Sequence, residues 1–455
     1  TFYFYFLAKE LTFDFCNIHC MNKSLTFLVF VILSLTGHFA EAQSFTSYFT
    51  GDTSDVNTNH KQGVCLMGGA SEDDNAMKKF LEYAAGGDIV VLRATGSDGY
   101  NDYLYTTLGI PVNSVQTLVI PSVSAANINY VYNQIKNAEA IFIAGGDQYN
   151  YVSKWKNTLV NEAIDYAVNT KKIVIGGISA GMAIMGDAYY SAANGSVMSA
   201  TALNNPFHSD ITLGYGDFIQ NSFLPKIITD THFDNPDRSG RFFTFLARIN
   251  AMGNPYYLGI ACDEYTAVFI DENKLAKVYG NAPAYADYAY FVWANCLGVN
   301  QPETMTAGTP LTWNQNGTAV VVAKIAGTTA GTNYYDLSIP YFNTQIGGTA
   351  IWQYWYAVNG TLSMVNTSKP NCSMGEGGNI PEKESILIFP NPAGETLQII
   401  NHLNKVQMAK ISDITGKTIM NFKIVPTSQQ LDISSLVPGT YFINAEGFSY
   451  KFHKN

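Results

Sequence analysis

The sequence is poor in charged residues, and basic residues are fewer than acidic ones. Charged residues make up 14% of the 455 positions, and 26 lysines and arginines stand against 36 aspartates and glutamates, which gives a net charge of -10. Binding to phosphate backbones requires clustered lysine and arginine. The composition therefore argues against a nucleic-acid partner.

Cysteine is also scarce, with six residues in the chain. No pair has the C-x-x-C spacing of a zinc site, and we expect neither a metal nor another cofactor. Cys65 and Cys262 lie inside apolar, strand-like runs, which predicts buried free thiols. Cys296 and Cys372 are better candidates for a disulfide, although the sequence alone does not assign the pairs.

Long apolar runs are missing except for one near the start. The run Leu25 to Leu35 is too short for a confident membrane span. It follows Met21-Asn-Lys-Ser and precedes Ala40-Glu41-Ala42, which is the order of a secretory signal peptide. We expect residues 1–42 to be a leader, made of an over-extended start and a signal peptide from Met21.

Strand and helix patterns alternate through the first half of the chain. This alternation predicts a parallel, doubly wound α/β sheet in a main domain of residues 43–296. Helical periodicity is absent from 297–371, which predicts a small β appendage. Residues 372–385 have the composition of a linker. Short strands between turn signals in 386–455 predict a β-sandwich.

The most informative stretch runs from Lys171 to Asp187. Ile173 to Ile175 is typical of a buried strand, and Gly177-Ile-Ser-Ala-Gly181 follows it as G-x-S-x-G. This is the strand, turn and helix context of a nucleophile elbow. Ser179 would stand at the carboxyl end of a parallel strand, where open α/β sheets bind ligands. The alternative is a serine that only caps the next helix.

An activated serine needs a base and a third group that orients the base. His232 is the best-placed histidine, at the expected end of a strand, and His208 is the reserve. Glu264 follows an apolar strand and is the candidate for the orienting acid. The alternation of Asp230, His232 and Asp234 would also suit metal ligands or a solvated loop.

Further polar groups near these residues suit a substrate. Another strand ends at Gly145-Gly146-Asp147-Gln148, and its backbone near Gly146 could form an oxyanion hole with the Ala180 N–H. A structural turn is the alternative there. Arg238 and Arg241 are surface charges or, near a candidate base, ligands of a substrate carboxylate.

Four motifs occur here in the order found in the cyanophycinase and dipeptidase E family. They are Gly145-Gly146-Asp147-Gln148, Gly177-Ile-Ser-Ala-Gly181, Asp230-Thr-His-Phe233 with Arg238-Ser-Gly-Arg241, and Gly259-Ile-Ala-Cys-Asp-Glu264. The resemblance covers about residues 60–295. It implies a serine peptidase on a flavodoxin-like sheet of the class I glutamine amidotransferase type, with Ser179 as nucleophile, His232 as base and Glu264 as third member.

The same resemblance implies that Gln148, Asp230, Arg238 and Arg241 contact the substrate. Cyanophycinases carry one more arginine shortly after the histidine, where this chain has Asn235-Pro236-Asp237. The expected substrate is a peptide or poly-amino acid with aspartyl or β-aspartyl bonds, which leaves cyanophycin, β-aspartyl peptides and N-terminal aspartyl peptides open. A homodimer is also left open.

The last unit resembles the C-terminal sorting domain of proteins exported by the type IX secretion system. The resemblance is carried by Phe389-Pro-Asn-Pro-Ala393, Ile414-Thr-Gly-Lys417 and Leu436-Val-Pro-Gly-Thr-Tyr-Phe442. It implies that residues 386–455 engage the secretion machinery and that the protein is secreted or displayed at the cell surface.

A non-enzymatic alternative is a cell-surface binding protein that keeps the fold. It would grip a polymer with the aromatic residues of the appendage, Trp352, Tyr354, Trp355 and Tyr356. Aromatic residues at alternating positions are more often part of a core.

Overall fold

The computed structural model describes residues 45–252, 257–295, 301–339, 344–370, 386–389, 393–401, 406–445 and 448–454. The expected leader, the linker 372–385 and the disulfide candidates Cys296 and Cys372 lie outside these ranges. Cys65 and Cys262 lie within them as buried free thiols, as predicted. Within the same ranges, no helix is both long and apolar enough to cross a bilayer.

Ten of the described strands form a first, mixed sheet in the order β1-β4-β3-β5-β6-β2-β11-β12-β15-β16. Strands β4, β3, β5, β6 and β2 are parallel neighbours, and the other pairs are antiparallel. The strands are β1 (Thr46–Gly51), β2 (Gly63–Met67), β3 (Asp88–Arg93), β4 (Ser114–Val119), β5 (Ala140–Ile143), β6 (Val174–Ile178), β11 (Ala267–Ile270), β12 (Leu275–Tyr279), β15 (Asn333–Asp336) and β16 (Ile346–Gly347).

The parallel part of this sheet has the flavodoxin-like arrangement. Counting from β3, the order β4-β3-β5-β6 is second, first, third, fourth, as in flavodoxin-like sheets. The fifth place is filled by β2, which comes earlier in the chain. The predicted fold class is confirmed, and the carboxyl ends of β2 and β6 become neighbours.

Helices pack against the sheets through their buried apolar residues. The first of them has a clear start, since Asp73 accepts hydrogen bonds from the Asn75 and Ala76 N–H groups at 2.9 and 2.8 Å, and it buries Met77 and Phe80. The helices are α1 (Asp74–Ala84), α2 (Asn129–Asn137), α3 (Gln148–Trp155), α4 (Leu159–Tyr166), α5 (Ala180–Ala183), α6 (Ser199–Asn204) and α7 (Ser239–Ala251).

A second mixed sheet contains eight of the described strands in the order β18-β17-β14-β13-β10-β9-β7-β8. Here β10 is parallel to β9 and β9 to β7, so the ends of β9 and β10 point the same way. The strands are β7 (Ala188–Tyr190), β8 (Leu213–Tyr215), β9 (Ile227–Asp230), β10 (Leu258–Cys262), β13 (Tyr288–Ala294), β14 (Val320–Ala326), β17 (Ala350–Val358) and β18 (Thr361–Thr367).

The two sheets share one apolar core. Ile143 and Ile175 from the first sheet lie in the same buried cluster as Ile260 and Phe291 from the second. The strands that we predicted as a β appendage extend these sheets edge to edge, since β14 pairs with β13 and β15 pairs with β12. These strands form no separate layer. Their backbones form hydrogen bonds with edge strands of the main domain instead.

The last unit contains two antiparallel sheets with a core between them. The first has the order β19-β20-β23 and the second β22-β21-β24-β25, and buried residues such as Ile411 and Phe452 fill the space. This agrees with the predicted sandwich. The strands are β19 (Ile386–Phe389), β20 (Thr396–Asn401), β21 (Gln407–Asp413), β22 (Thr418–Ile424), β23 (Thr427–Asp432), β24 (Gly439–Ala445) and β25 (Phe448–Lys454).

Candidate active site

Ser179 stands on a sharp turn between β6 and α5. Its backbone has φ 51° and ψ -116°, and its N–H donates to the Met67 carbonyl at 3.0 Å. A positive φ is unfavourable for a residue with a side chain and is held in place only by its surroundings. A Cβ atom on Gly181 would lie 2.1 Å from the Ile143 carbonyl oxygen, so only glycine lets α5 approach β5 this closely.

His232 follows β9 in the second sheet and reaches across to the serine. Its Nε2 lies 2.9 Å from the Ser179 Oγ. Its own backbone also has a positive φ, 44°, and its N–H donates to the Gly68 carbonyl at 2.9 Å. The imidazole therefore sits where the carboxyl end of β9 meets the carboxyl ends of β2 and β6.

Glu264 lies beyond the end of β10, the strand beside β9. Its Oε1 is 2.6 Å from His232 Nδ1, on the side of the ring opposite the serine. The hydrogen bond from His232 is the main reason that the pKa of Glu264 falls below its ordinary value. The carboxylate therefore stays ionised at neutral pH, and the structure brings the three residues into one hydrogen-bonded chain.

The neighbouring acid, Asp263, is not part of this hydrogen-bonded group, since β10 ends at Cys262 and a turn separates the directions of the two carboxyl groups. It is buried, and its Oδ2 accepts from the Tyr288 N–H at 3.2 Å. Burial, and then the nearby carboxylate of Asp234, raise the pKa of Asp263 to about 7. Two consecutive carboxyl groups thus have pKa values shifted in opposite directions by their surroundings.

The serine faces an open cleft of about 580 Å³. This volume lies within the range of about 300–1,000 Å³ that is typical of small-molecule and peptide sites. The candidate oxyanion residues Gly146 and Ala180 line the cleft together with Ser179, and Gln148 lines it as well. A loop of small residues also lines the cleft, namely Ala192, Ala193, Gly195 and Ser196.

Two of the predicted substrate residues are bound to each other. Asp230 and Arg241 form an ion pair through both carboxylate oxygens, with Arg241 Nε at 2.9 Å from Oδ2, and their side chains are only 2% and 3% exposed. Arg241 Nη1 also donates to Ser196 Oγ at 3.2 Å. Asp230 itself does not line the cleft, whereas Arg241 does. The structure therefore offers no support for a direct contact between Asp230 and the substrate.

Arg238 is placed differently, since it lines the cleft with part of its guanidinium unused. Nη1 donates to the Thr231 carbonyl at 2.9 Å and to Thr231 Oγ1 at 3.3 Å. Nε and Nη2 have no hydrogen-bond partner among the described residues. Burial, and then the neighbouring Arg241, lower the pKa of Arg238, which is the pattern of a cation that lacks a carboxylate partner.

The structure does not support the alternative base or the alternative metal site that the sequence left open. His208 lies near Asp210, with 3.5 Å between Nδ1 and Oδ2, and does not line the cleft. Where the structure describes the chain, no group of three or more histidine, cysteine or acidic residues is placed to hold a metal ion. Asp234 accepts from the Glu264 backbone N–H at 2.9 Å.

The aromatic residues of the binding-protein alternative are largely packed inside. Trp355 is fully buried and stacks near Phe233 with 6.2 Å between ring centroids. Trp352 packs edge-on against Trp293 at 5.9 Å. Tyr354 and Tyr356 are partly buried against the two cores. They therefore present no stripe of exposed rings to a polymer.

Comparison with known proteins agrees with this geometry. Residues 95–278, which include Ser179, His232 and Glu264, match the family model described as peptidase family S51. Over these residues the chain is similar to the S51 peptidases. Residues 387–454 match the secretion system C-terminal sorting domain. The two resemblances drawn from the sequence motifs, one for the S51 domain and one for the tail, are confirmed.

Relatives of the S51 domain include proteins named cyanophycinase. The one from Geminocystis herdmanii is 31% identical over 146 residues, which is 32% of this chain and 48% of that protein. The one from Synechococcus elongatus is 24% identical over 265 residues, which is 55% of this chain and 76% of that protein. The chain thus spans about half the length of the first relative.

Among solved structures, a peptidase from an acI-B1 Actinobacterium is similar to this chain. The two are 15% identical with a TM-score of 0.37, and the match covers 51% of this chain and 90% of the other.

Two features of the site were missed by the sequence analysis. The first is the Gly68-Gly69 pair after β2, where a Cβ on Gly69 would lie 2.3 Å from His232 Nε2. The same double glycine after a strand at Gly145-Gly146 was a signal that could have found it. The second is the loop after His232, whose Asn235 Nδ2 donates to Glu264 Oε2 at 3.4 Å. No sequence signal pointed to that contact.

Proposed function

We propose that this protein is an exported serine peptidase in which Ser179, His232 and Glu264 form a catalytic triad. The observation that carries the proposal is the continuous chain from Ser179 Oγ to His232 Nε2 at 2.9 Å and from His232 Nδ1 to Glu264 Oε1 at 2.6 Å. A serine, a base and an acid in this order are the requirement for nucleophilic acyl transfer. The S51 match over the same residues supports it.

In this proposal, His232 Nε2 takes the proton from Ser179 Oγ while the oxygen attacks the substrate carbonyl. Glu264 accepts a hydrogen bond from the Nδ1–H of His232, which fixes the tautomer and stabilises the imidazolium. The backbone N–H groups at Gly146 and Ala180 donate hydrogen bonds to the oxyanion of the tetrahedral intermediate and stabilise its charge. His232 then gives its proton to the leaving amine, and water hydrolyses the acyl-enzyme in a second round of the same steps.

For the substrate we propose aspartyl or β-aspartyl peptide bonds, in a peptide or in a cyanophycin-like polymer. Arg238 is the residue that we assign to a substrate carboxylate, because it lines the cleft and the described residues leave Nε and Nη2 of its guanidinium without a hydrogen-bond partner. Arg241, in contrast, is paired with Asp230 and donates a hydrogen bond to Ser196, which lines the cleft. A fork of arginine donors matches a carboxylate in geometry and charge.

The test is a turnover screen with a matched inactive variant. Cyanophycin, β-aspartyl dipeptides and N-terminal aspartyl dipeptides are incubated with the wild type and with Ser179→Ala, and released amino groups are measured. We expect turnover of at least one substrate by the wild type and none by the variant. No turnover of any of them, together with tight polymer binding, would support a binding protein instead.

The assignment of Arg238 has its own test within the same screen. Arg238→Ala should raise KM for the active substrate by about 10- to 100-fold, the loss expected for a charged hydrogen bond of about 1.5–3 kcal/mol. Arg238→Lys keeps the charge without the fork and should fall between the two. An unchanged KM in Arg238→Ala would show that the carboxylate is bound elsewhere.

We further propose that the protein leaves the cell through its signal peptide and its C-terminal sorting domain, with the type IX secretion machinery as partner. The match at residues 387–454 supports this route. In a host with that system, the full chain should reach the surface or medium, and a chain ending at residue 385 should remain in the periplasm. Equal export of both would refute it.

A further inference from the structure

The loop after His232 and the turn that carries Glu264 are tied together at several points. The Phe233 N–H donates to the Cys262 carbonyl at 3.1 Å, which joins the loop to the end of β10. The Glu264 N–H donates to Asp234 Oδ1 at 2.9 Å. Asn235 Nδ2 donates to Glu264 Oε2 at 3.4 Å. Three consecutive residues after the base thus contact the strand end or the acid.

These contacts involve different atoms of Glu264. The carboxylate has two oxygens, and Oε1 is used by His232. Without a second partner, the carboxylate could rotate about its last torsion, which is broad for glutamate. The Asn235 amide holds Oε2 and so fixes the plane in which Oε1 meets the imidazole, while Asp234 fixes the backbone from which the side chain extends.

Because charged groups surround Glu264, the neutral amide of Asn235 and a carboxylate at position 235 would have different effects on it. His232 and Arg238 act on Glu264 with positive charge, and the hydrogen bond from Asn235 lowers its pKa further. Asp234 acts on the buried neighbour Asp263 as a like charge. An additional carboxylate at position 235 would add repulsion to Glu264 and attraction to a protonated imidazole.

From this geometry we propose that Asp234 and Asn235 are positioning residues of the triad, which hold Glu264 against His232 independently of the serine. The proposal rests on the catalytic function proposed above for His232 and Glu264. It adds two residues to that machinery, and one of them, Asn235, lies in the segment where this chain departs from the cyanophycinase pattern.

The principal test compares Asn235→Ala and Asn235→Asp with the wild type across pH. With Asn235→Ala, we expect kcat to fall about 10-fold with little change in KM, since a loosely held acid misplaces the base. With Asn235→Asp, we expect a larger fall and an acid limb of kcat/KM moved to higher pH, because the added carboxylate stabilises the imidazolium. Asn359→Asp, an exposed turn residue, controls for the charge change.

A purely structural role for Asn235 would give a different result. Both substitutions would then lower Tm and activity together, and the acid limb would stay in place. That outcome, or full activity in Asn235→Ala, would overturn the proposal. If the wild type itself is not labelled at Ser179 by a fluorophosphonate, the proposed function has failed rather than this addition to it.

Asp234 is tested by rescue. Asp234→Ala removes the acceptor of the Glu264 N–H and should lower kcat, whereas Asp234→Asn keeps an oxygen at the same place and should recover most of the loss. Equal losses in both variants would mean that the charge of Asp234, and not its bond to residue 264, is what matters. The backbone part of the proposal would then be refuted.

Discussion

A methyl group on Gly69 would occupy the space of the His232 ring. Its carbon would lie 2.3 Å from Nε2 and 2.4 Å from Cε1. Atoms that are not bonded sit at about 3.5 Å or more, so the imidazole of Gly69→Ala has to retreat by about 1 Å. A displacement of about 1 Å at a reacting group can cost about 100-fold in rate, which is about 2.7 kcal/mol.

The measurement is the second-order rate constant for labelling by a fluorophosphonate, which reports on serine activation without requiring the natural substrate. Gly86→Ala is the matched control, because Gly86 also has a positive φ, +82°, but nothing lies within 4 Å of its added carbon. Both variants should lose about 1–2 kcal/mol of stability from the left-handed backbone. Only Gly69→Ala should lose reactivity, and equal labelling of the two would refute the packing of Gly69 against the base.

Three further predictions concern the carboxyl groups around the site. Glu264→Gln should slow labelling by about 10²–10⁴-fold with little change in Tm, because an amide cannot stabilise the imidazolium of His232. Asp263 has a folded pKa of about 7, above its unfolded value, so its proton favours the folded state at low pH. The free energy of unfolding should therefore decrease as the pH rises from about 4 to 7, and this group contributes at most about 1.4 kcal/mol per pH unit. In urea titrations over the same pH range, Asp263→Asn should lose less stability than the wild type. Asp230→Ala leaves Arg241 buried and unpaired and should cost about 3–5 kcal/mol in urea unfolding, while adding Arg241→Leu should restore part of the loss; no restoration would mean that the pair's charge is not what matters.

The parallel part of the fold could be predicted from the sequence because its signals are local. The run Ile173 to Ile175, which we predicted as a buried strand, overlaps the start of β6 (Val174–Ile178), since short buried β-branched segments between turn residues have few other ways to fold. The motif around Ser179 was equally clear, because the two glycines that the turn requires lie within two residues of the serine.

The pairing of strands could not be predicted in the same way. The place beside β2 in the first sheet is taken by β11 in antiparallel orientation, which leaves β9 and β10 to the second sheet. Nothing in a single strand's sequence names its partner, because the ladder uses backbone groups that every residue has. His232 and Glu264 therefore reach Ser179 from a different sheet than the sequence analysis assumed.

The roles of the charged residues also depended on contacts that no motif shows. Asp230 and Arg241 are eleven positions apart in the sequence, and their burial as a pair follows from the packing of α7 against β9. From the motifs, Arg238 and Arg241 have the same expected role, and only the structure separates a cation with free donors from one that is already bound to a carboxylate.

The central claim, that Ser179 is activated by His232, is tested most directly by fluorophosphonate labelling followed by peptide mass spectrometry. The wild type, Ser179→Ala and His232→Ala are compared after their Tm values have been shown to agree. The account predicts one labelled peptide that carries the mark on Ser179, no mark in Ser179→Ala and a strongly slowed reaction in His232→Ala. A mark on another residue, or equal labelling of the three proteins, would contradict it.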